Sequence, residues 1–264
     1  MFTKIMYINL ERRMDRKKNI EEQLKLINYK GPVERINAID ARHLNIPHMS
    51  DKLVTRKGIN SALNKNNGLY TFLTKGAIGC ALSHRIAWEK VIKGNDEYVL
   101  ILEDDIWFDK YFNKKLENIM KIVPSYDILY LGNSGYYNNL EGKYLDIPNL
   151  VYGLFAYVIN KKAATTLLSA FPITYQLDTE ISKKFNYLKV YTLKYDKNSS
   201  SIDYRIIFSE LSQNSITYGT DIQHREYFSN TNEKLETTDN CNSVILLFVF
   251  GIGIIYLYLR NKKK

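Results

Sequence analysis

Residues Tyr98–Phe108 read YVLILEDDIWF: an apolar run, three consecutive carboxylates, then three more apolar residues. A short, fully apolar run is the signature of a strand covered on both faces, and hence of a layered α/β protein. Three adjacent acids behind such a strand repel one another and need an offset. In open α/β sheets ligands bind outside the carboxyl ends of the strands, so this stretch marks both the fold class and the place to look for a site. Side chains alternate along an extended chain, which puts Glu103 and Asp105 on one side and Asp104 on the other. Two carboxylates on one side suit a hard cation, Mg²⁺ or Mn²⁺, which would relieve the repulsion and could bridge a diphosphate. On spacing alone a solvated strand-end loop fits equally well.

The surrounding sequence supports the layered reading. Ile5–Leu10 is a candidate buried strand, and Ile20, Leu24 and Ile27 recur at i, i+4 and i+7 as one helix face. Val33–Ala38 reads as a second strand, completing a parallel strand–helix–strand unit. A long helix is predicted over Lys75–Ile92, ended by Gly94-Asn95. Further strands are predicted at Asp127–Leu131, Val151–Asn160 and Leu188–Leu193, with helices within Phe108–Ile122 and over Lys161–Ser169. Asn45–Thr71 and Asn198–Asp221 read as loop regions.

Composition narrows the function classes. The 264 residues carry a net charge of +9, and the four cations Arg260, Lys262, Lys263 and Lys264 leave +5 for the rest. No dense basic helix or basic-aromatic ladder accompanies that excess, so nucleic acid is not the expected partner. Two cysteines, Cys80 and Cys241, and four histidines argue against a disulfide framework or a His/Cys metal centre. Ser243–Leu259, SVILLFVFGIGIIYLYL, holds no charge and approaches the length of a membrane span. It is read as a C-terminal transmembrane anchor, with a buried core element as the alternative. The chain then divides into a main domain (1–230), a polar linker (231–242), the anchor (243–259) and a basic tail (260–264). No apolar leader stands at the N-terminus, which favours a cytosolic domain, whereas the positive-inside rule would keep the basic tail cytosolic.

Four segments in order carry a resemblance to a known family: YINLERRMDRK (Tyr7–Lys17), AIDA (Ala38–Ala41), GAIGCALSHRIAWEKV (Gly76–Val91) and LILEDDIWF. Together they resemble glycosyltransferase family 25, the group of lipooligosaccharide and collagen galactosyltransferases. VYGLFAYVINKKAATTLL, ITYQLDTEI and LSQNSITYGTDI resemble later family segments more loosely. In the second no proline stands immediately before Leu177-Asp178, and in the third Thr220 stands where serine is usual. The resemblance implies a nucleotide-sugar-binding fold of the GT-A type with a mainly parallel sheet. It also implies inverting transfer of a hexose, galactose or glucose, from a UDP-sugar to a glycan or protein acceptor, with Mn²⁺ or Mg²⁺ as cofactor.

Each carried-over residue has an ordinary alternative. Glu103 and Asp105 would hold the metal and the diphosphate, and Asp104 would bind ribose or sugar hydroxyls; a bulge would reverse that register, so all three are kept. Asn9, Arg12 and Arg16 follow the first strand, where phosphates are met, although some of these charges also fit a solvated helix start. Gly76 would let backbone approach a ligand at a helix N-terminus, or simply form a turn. Ser83 and His84 diverge by about 100° on a helix and are no nucleophilic dyad; sugar contact and a structural role both remain open. Inversion requires a base for the acceptor proton: Asp178 is the candidate, Glu180 its rival, a plain surface acid the alternative. His224 is a candidate metal ligand from the C-terminal side. Two other functions are carried alongside: an inactive, sugar- or nucleotide-binding member of the family, and a metal-dependent nuclease.

Overall fold

A computed structural model of the protein describes residues 1–64, 73–140, 142–195 and 202–209. All of them belong to one compact unit, Met1–His224. The elements in chain order are β1 (Lys4–Asn9), α1 (Met14–Leu26), β2 (Val33–Asn37), α2 (Arg56–Leu63), α3 (Lys75–Lys93), β3 (Tyr98–Glu103), β4 (Ile106–Phe108) and α4 (Phe112–Ile122). They continue with β5 (Ile128–Gly132), β6 (Gly135–Leu140), β7 (Leu145–Tyr152), β8 (Ala156–Asn160), α5 (Lys161–Leu168), α6 (Leu177–Ser182), β9 (Val190–Leu193) and β10 (Ile207–Ser209).

Eight strands form one sheet in the order β2-β1-β3-β8-β5-β9-β7-β6, and β10 pairs with β4 outside it. The first three strands are parallel to one another, as is the β5–β9 pair. The β3–β8, β5–β8, β7–β9 and β6–β7 pairs are antiparallel. The sheet is therefore mixed: the parallel arrangement expected from the sequence holds on the β1 side, and β8 enters between β3 and β5 in the opposite direction. Val151–Asn160, which reads as one strand, is two. Gly153 turns the chain at φ +80, a conformation L side chains rarely adopt, and an added Cβ would stand 2.6 Å from Ser134 Oγ.

The alternation along β1 and β3 builds two cores. Ile5, Tyr7, Leu100 and Leu102 pack with Ile20 and Leu24 of α1 and with Leu116 and Ile119 of α4. Met6, Ile8, Val99 and Ile101 pack with Ile78, Ala81 and Trp88 of α3 and with Ala163, Ala164 and Leu167 of α5. Leu100, Ile101 and Leu102 are fully buried, each worth roughly 1.5–3 kcal/mol of burial relative to exposure. Helices thus cover both faces, and the acid cluster sits where β3 leaves the sheet between them. Among the described residues no helix is long and apolar enough to cross a membrane. The anchor expected over 243–259, the linker over 231–242, the basic tail and His224 lie outside the described residues.

Candidate functional site

The carboxyl ends of β1 and β3, the segment after β2 and the first half of α3 enclose a cleft of about 350 Å³. Arg12, Arg16, Gly76, Ser83, His84, Glu103 and Asp104 line it, together with Asp40, Arg42, Lys75 and Cys80. Seven of the residues singled out in the sequence therefore meet in one place. They arrive there because β1, β2 and β3 run parallel, so that their carboxyl ends share an edge.

The three acids resolve their repulsion by diverging. Pleat alternation stops at Glu103, where β3 ends, and a bend follows at residues 104–105. Asp104 and Asp105 both turn to Arg16: Nη1 lies 3.1 Å from Asp104 Oδ1 and Nη2 lies 3.3 Å from Asp105 Oδ2. Asn9 donates from Nδ2 to Asp104 Oδ2 at 2.6 Å and is itself held by Arg35 Nε at 2.9 Å. Both aspartates are nearly buried. Burial pushes the Asp104 carboxyl above its usual range by more than Arg16 and Asn9 draw it down. Glu103 goes the other way, toward α3.

There His84 is fully buried, with Nδ1 2.9 Å from the Tyr157 hydroxyl and Nε2 3.4 Å from Glu103 Oε1. The Trp88 indole N–H donates to the same hydroxyl at 2.8 Å. A carboxylate only accepts, so with a neutral imidazole one donor order satisfies the chain: Trp88 N–H to Tyr157, Tyr157 O–H to Nδ1, and Nε2–H to Glu103. Cys80, one turn before His84, completes a group. The ligand atoms of Cys80, His84 and Glu103 all lie within 4.8 Å of one another, and among the described residues this is the one such set of three. The carboxylates of 103–105 do not converge in that way. The scarcity of Cys and His in the chain did not preclude this mixed trio. Burial raises the Cys80 thiol well above its ordinary value, helped by the charges of Glu103, Asp178 and Asp105.

The opposite wall is built by docking α3 on the segment after β2. Ser83 Oγ accepts from the Ile39 N–H at 2.8 Å and donates to the Gly79 carbonyl at 2.7 Å. A Cβ at Gly79 would stand 2.8 Å from the Ile39 carbonyl oxygen. Glycine here is what allows the helix to approach. Ser83 is thus a wall-building residue. The docked segment presents Asp40, which accepts from Arg42 Nη2 at 2.6 Å and from Arg12 Nε at 3.0 Å. The Arg42 guanidinium, assisted by Arg12, holds the Asp40 carboxyl far below its usual range. Lys75 Nζ reaches the Arg42 carbonyl at 3.4 Å. Asp40, Arg42, Lys75 and Cys80 were not singled out from the sequence. The AIDA segment was the available signal for Asp40, with Arg42 directly after it, and the i, i+4 spacing of Cys80 and His84 was the signal for Cys80.

Asp178 and Glu180 lie on α6, outside the lining of this cleft. Asp178 is raised by burial and accepts from the backbone N–H groups of Thr179 and Gly153. It is near enough for its charge to act on Cys80 and Tyr130. Glu180 is committed to structure: Oε1 accepts from the Thr174 and Tyr175 N–H groups at 2.9 and 3.0 Å, and Oε2 pairs with Lys183.

Comparison with known proteins gives the arrangement a family. The family model of "Glycosyltransferase family 25 (LPS biosynthesis protein)" matches residues 2–152, more than half of the chain. A "Glycosyltransferase 25 family member" of Drosophila pseudoobscura pseudoobscura is 32% identical over 178 residues, covering 64% of this chain and 27% of that protein. The human "Inactive glycosyltransferase 25 family member 3" is 30% identical over 190 residues, covering 68% of this chain and 31% of that protein. The chain thus spans under a third of the length of these relatives. A solved glycosyltransferase involved in glycosylation of the major capsid of PBCV-1 shares 13% identity at a TM-score of 0.39, covering 87% of this chain and 98% of that one. The galactosyltransferase LgtC with donor and acceptor sugar analogues shares 8% identity at a TM-score of 0.39, covering 89% and 97%. Those two scores are too low to carry an argument about the site. The family match spans the first three strands, the docked segment and α3, the elements that enclose the cleft, and the chain belongs to glycosyltransferase family 25.

Proposed function

We propose that the protein is an inverting hexosyltransferase of the GT-A type that takes a UDP-sugar, UDP-galactose or UDP-glucose, into this cleft and passes the hexose to a glycan or protein acceptor. The supporting observation is the convergence of Arg12, Arg16, Arg42 and Lys75 beside Asp104 at one sheet edge. Guanidinium groups match phosphate oxygens in geometry and charge, and a diphosphate would share these cations with the acids that already hold them. Asp104, fixed by Asn9 and Arg16, is the proposed partner of a ribose or sugar hydroxyl.

In the transfer step the acceptor oxygen attacks the anomeric carbon as the bond to the diphosphate breaks, and the acceptor proton must leave. Asp178 is the proposed base, since Glu180 has both oxygens engaged, one of them by Lys183, and Asp178 is held only by neutral donors, backbone N–H groups and the Thr179 side chain. An ionised carboxylate is the competent form, so the raised Asp178 value confines activity to the side of higher pH. A divalent ion would supply Lewis-acid stabilisation of the leaving diphosphate. The Mn²⁺ or Mg²⁺ expected from the sequence would be held at the acid cluster, and no step above runs through it.

The test is transfer and donor hydrolysis with a panel of UDP-sugars, the anomeric configuration of the product being read by NMR. An inverted product from one donor supports the reading; a retained configuration contradicts it. A second reading, a nucleotide-sugar-binding member without turnover, is favoured by the word "inactive" in the names of several relatives. It predicts donor binding with no product from any UDP-sugar. The nuclease reading has no observation in its favour. We further propose that Ser243–Leu259 anchors the chain to a membrane with the catalytic unit on the cytosolic side.

A further inference from the structure

Cys80 and His84 stand four residues apart on α3 and so share one helix face, while Glu103 approaches the same point from the end of β3. Their thiol, imidazole and carboxylate atoms lie within 4.8 Å of one another, and all three residues line the cleft. The 3.4 Å between His84 Nε2 and Glu103 Oε1 is long for a hydrogen bond to a carboxylate, which ordinarily closes to about 2.7–2.9 Å. It equals the edge of a tetrahedron with metal–ligand bonds of about 2.0–2.1 Å, roughly 3.3–3.4 Å. The far side of the imidazole is fixed as a metal-ligating histidine requires. Nδ1 is held by the Tyr157 hydroxyl at 2.9 Å, and that hydroxyl by Trp88 at 2.8 Å. When an ion displaces the proton that Nε2 otherwise donates to Glu103, the tautomer changes: the phenol oxygen accepts from both Trp88 and an Nδ1–H, and the Nε2 lone pair points to the trio.

We propose that Cys80, His84 and Glu103 form a binding site for a zinc-class divalent ion, with the fourth coordination position opening into the cleft. One sulfur, one nitrogen and one oxygen donor suit Zn²⁺ or Co²⁺, whereas Mg²⁺ and Ca²⁺ take oxygen ligands. Three protein ligands with a fourth place left for water or a phosphate oxygen is the open form of such sites. The ion would engage Glu103, the residue read from the sequence as a hard-cation ligand, alongside two softer partners. The proposal stands apart from the transfer reaction, since it is tested without any sugar nucleotide.

The experiment is Co²⁺ titration of the full chain carrying Cys241→Ser, followed by optical spectroscopy, then competition with Zn²⁺ or Mg²⁺. The expected result is a thiolate-to-cobalt charge-transfer band with tetrahedral d–d absorption, erased by Zn²⁺ and unaffected by equal Mg²⁺. Adding Cys80→Ser should abolish the band and weaken Zn²⁺ binding by on the order of 100-fold, with a thermal melt showing that the fold persists. Glu103→Gln should keep the band with weaker affinity, and so reports on the site even where a cysteine variant fails to fold. A band that survives Cys80→Ser, no band at all in the Cys241→Ser chain, or displacement of Co²⁺ by Mg²⁺ as readily as by Zn²⁺ would overturn the proposal.

Discussion

Arg16 faces two nearly buried carboxylates with one guanidinium, contacting Asp104 at 3.1 Å and Asp105 at 3.3 Å. Removing it takes the guanidinium from both charges. Arg16→Ala should cost about 3–5 kcal/mol at neutral pH, as breaking a buried pair does, measured by chemical denaturation. The sign of the pH dependence follows from Asp104. Its folded value is already raised by burial, and losing Arg16 raises it further, so the deficit should be largest at neutral pH and shrink as acid protonates the aspartates. A deficit independent of pH would assign Arg16 a packing role instead. Asp178 obeys the same rule in activity: kcat should rise with pH through the raised Asp178 value, and Asp178→Asn should remove that limb along with turnover. At this scale the sequence named most of the actors, including Arg16, Asn9, His84 and the three acids. It could not assign their partners. Strict alternation paired Glu103 with Asp105, but β3 ends at Glu103 and the bend sends Asp105 to Arg16 instead.

At the scale of elements, the cleft depends on how closely α3 approaches the segment after β2. Gly79→Ala places a methyl group 2.8 Å from the Ile39 carbonyl oxygen, a backbone atom that must move with its neighbours. The expected cost is about 1–3 kcal/mol, with weaker nucleotide binding because Asp40 and Arg42 move with Ile39. Calorimetry on the folded variant checks both; unchanged affinity would detach the 38–42 segment from the site. The helix itself was legible, since Ile78, Ala81, Trp88 and Val91 keep its period and Thr74 caps it through the Ala77 N–H at 3.0 Å. Its docking partner was not, because Ser83 meets Ile39 across 44 residues of chain. The misreading of Val151–Asn160 has a local cause: hydrophobic periodicity is blind to the positive φ of Gly153. The β6–β7 hairpin was missed because β6, GYYNNL, carries little apolar signal and Pro148 interrupts the apolar alternation of β7.

For the whole molecule, the apolar strand YVLIL correctly announced a sheet covered on both faces, and the cleft lies at the parallel β2-β1-β3 edge where ligands were expected. The antiparallel entry of β8 was beyond reach, because direction in a sheet is set by long-range pairing and not by strand composition. The membrane proposal is tested by fractionation: the full chain should remain with membranes after a high-pH wash, and a chain lacking residues 243–264 should not. Equal release of both would contradict it. The central claim is that the cleft at the ends of β1, β2 and β3 receives the diphosphate of a nucleotide sugar. Calorimetric titration of UDP into the full chain, beside the Arg12→Ala and Lys75→Ala double variant, tests it most directly. The account predicts saturable UDP binding that weakens by about tenfold or more, roughly 1.4 kcal/mol, in the variant. Absence of UDP binding, or binding that is unchanged by the double substitution, would contradict it.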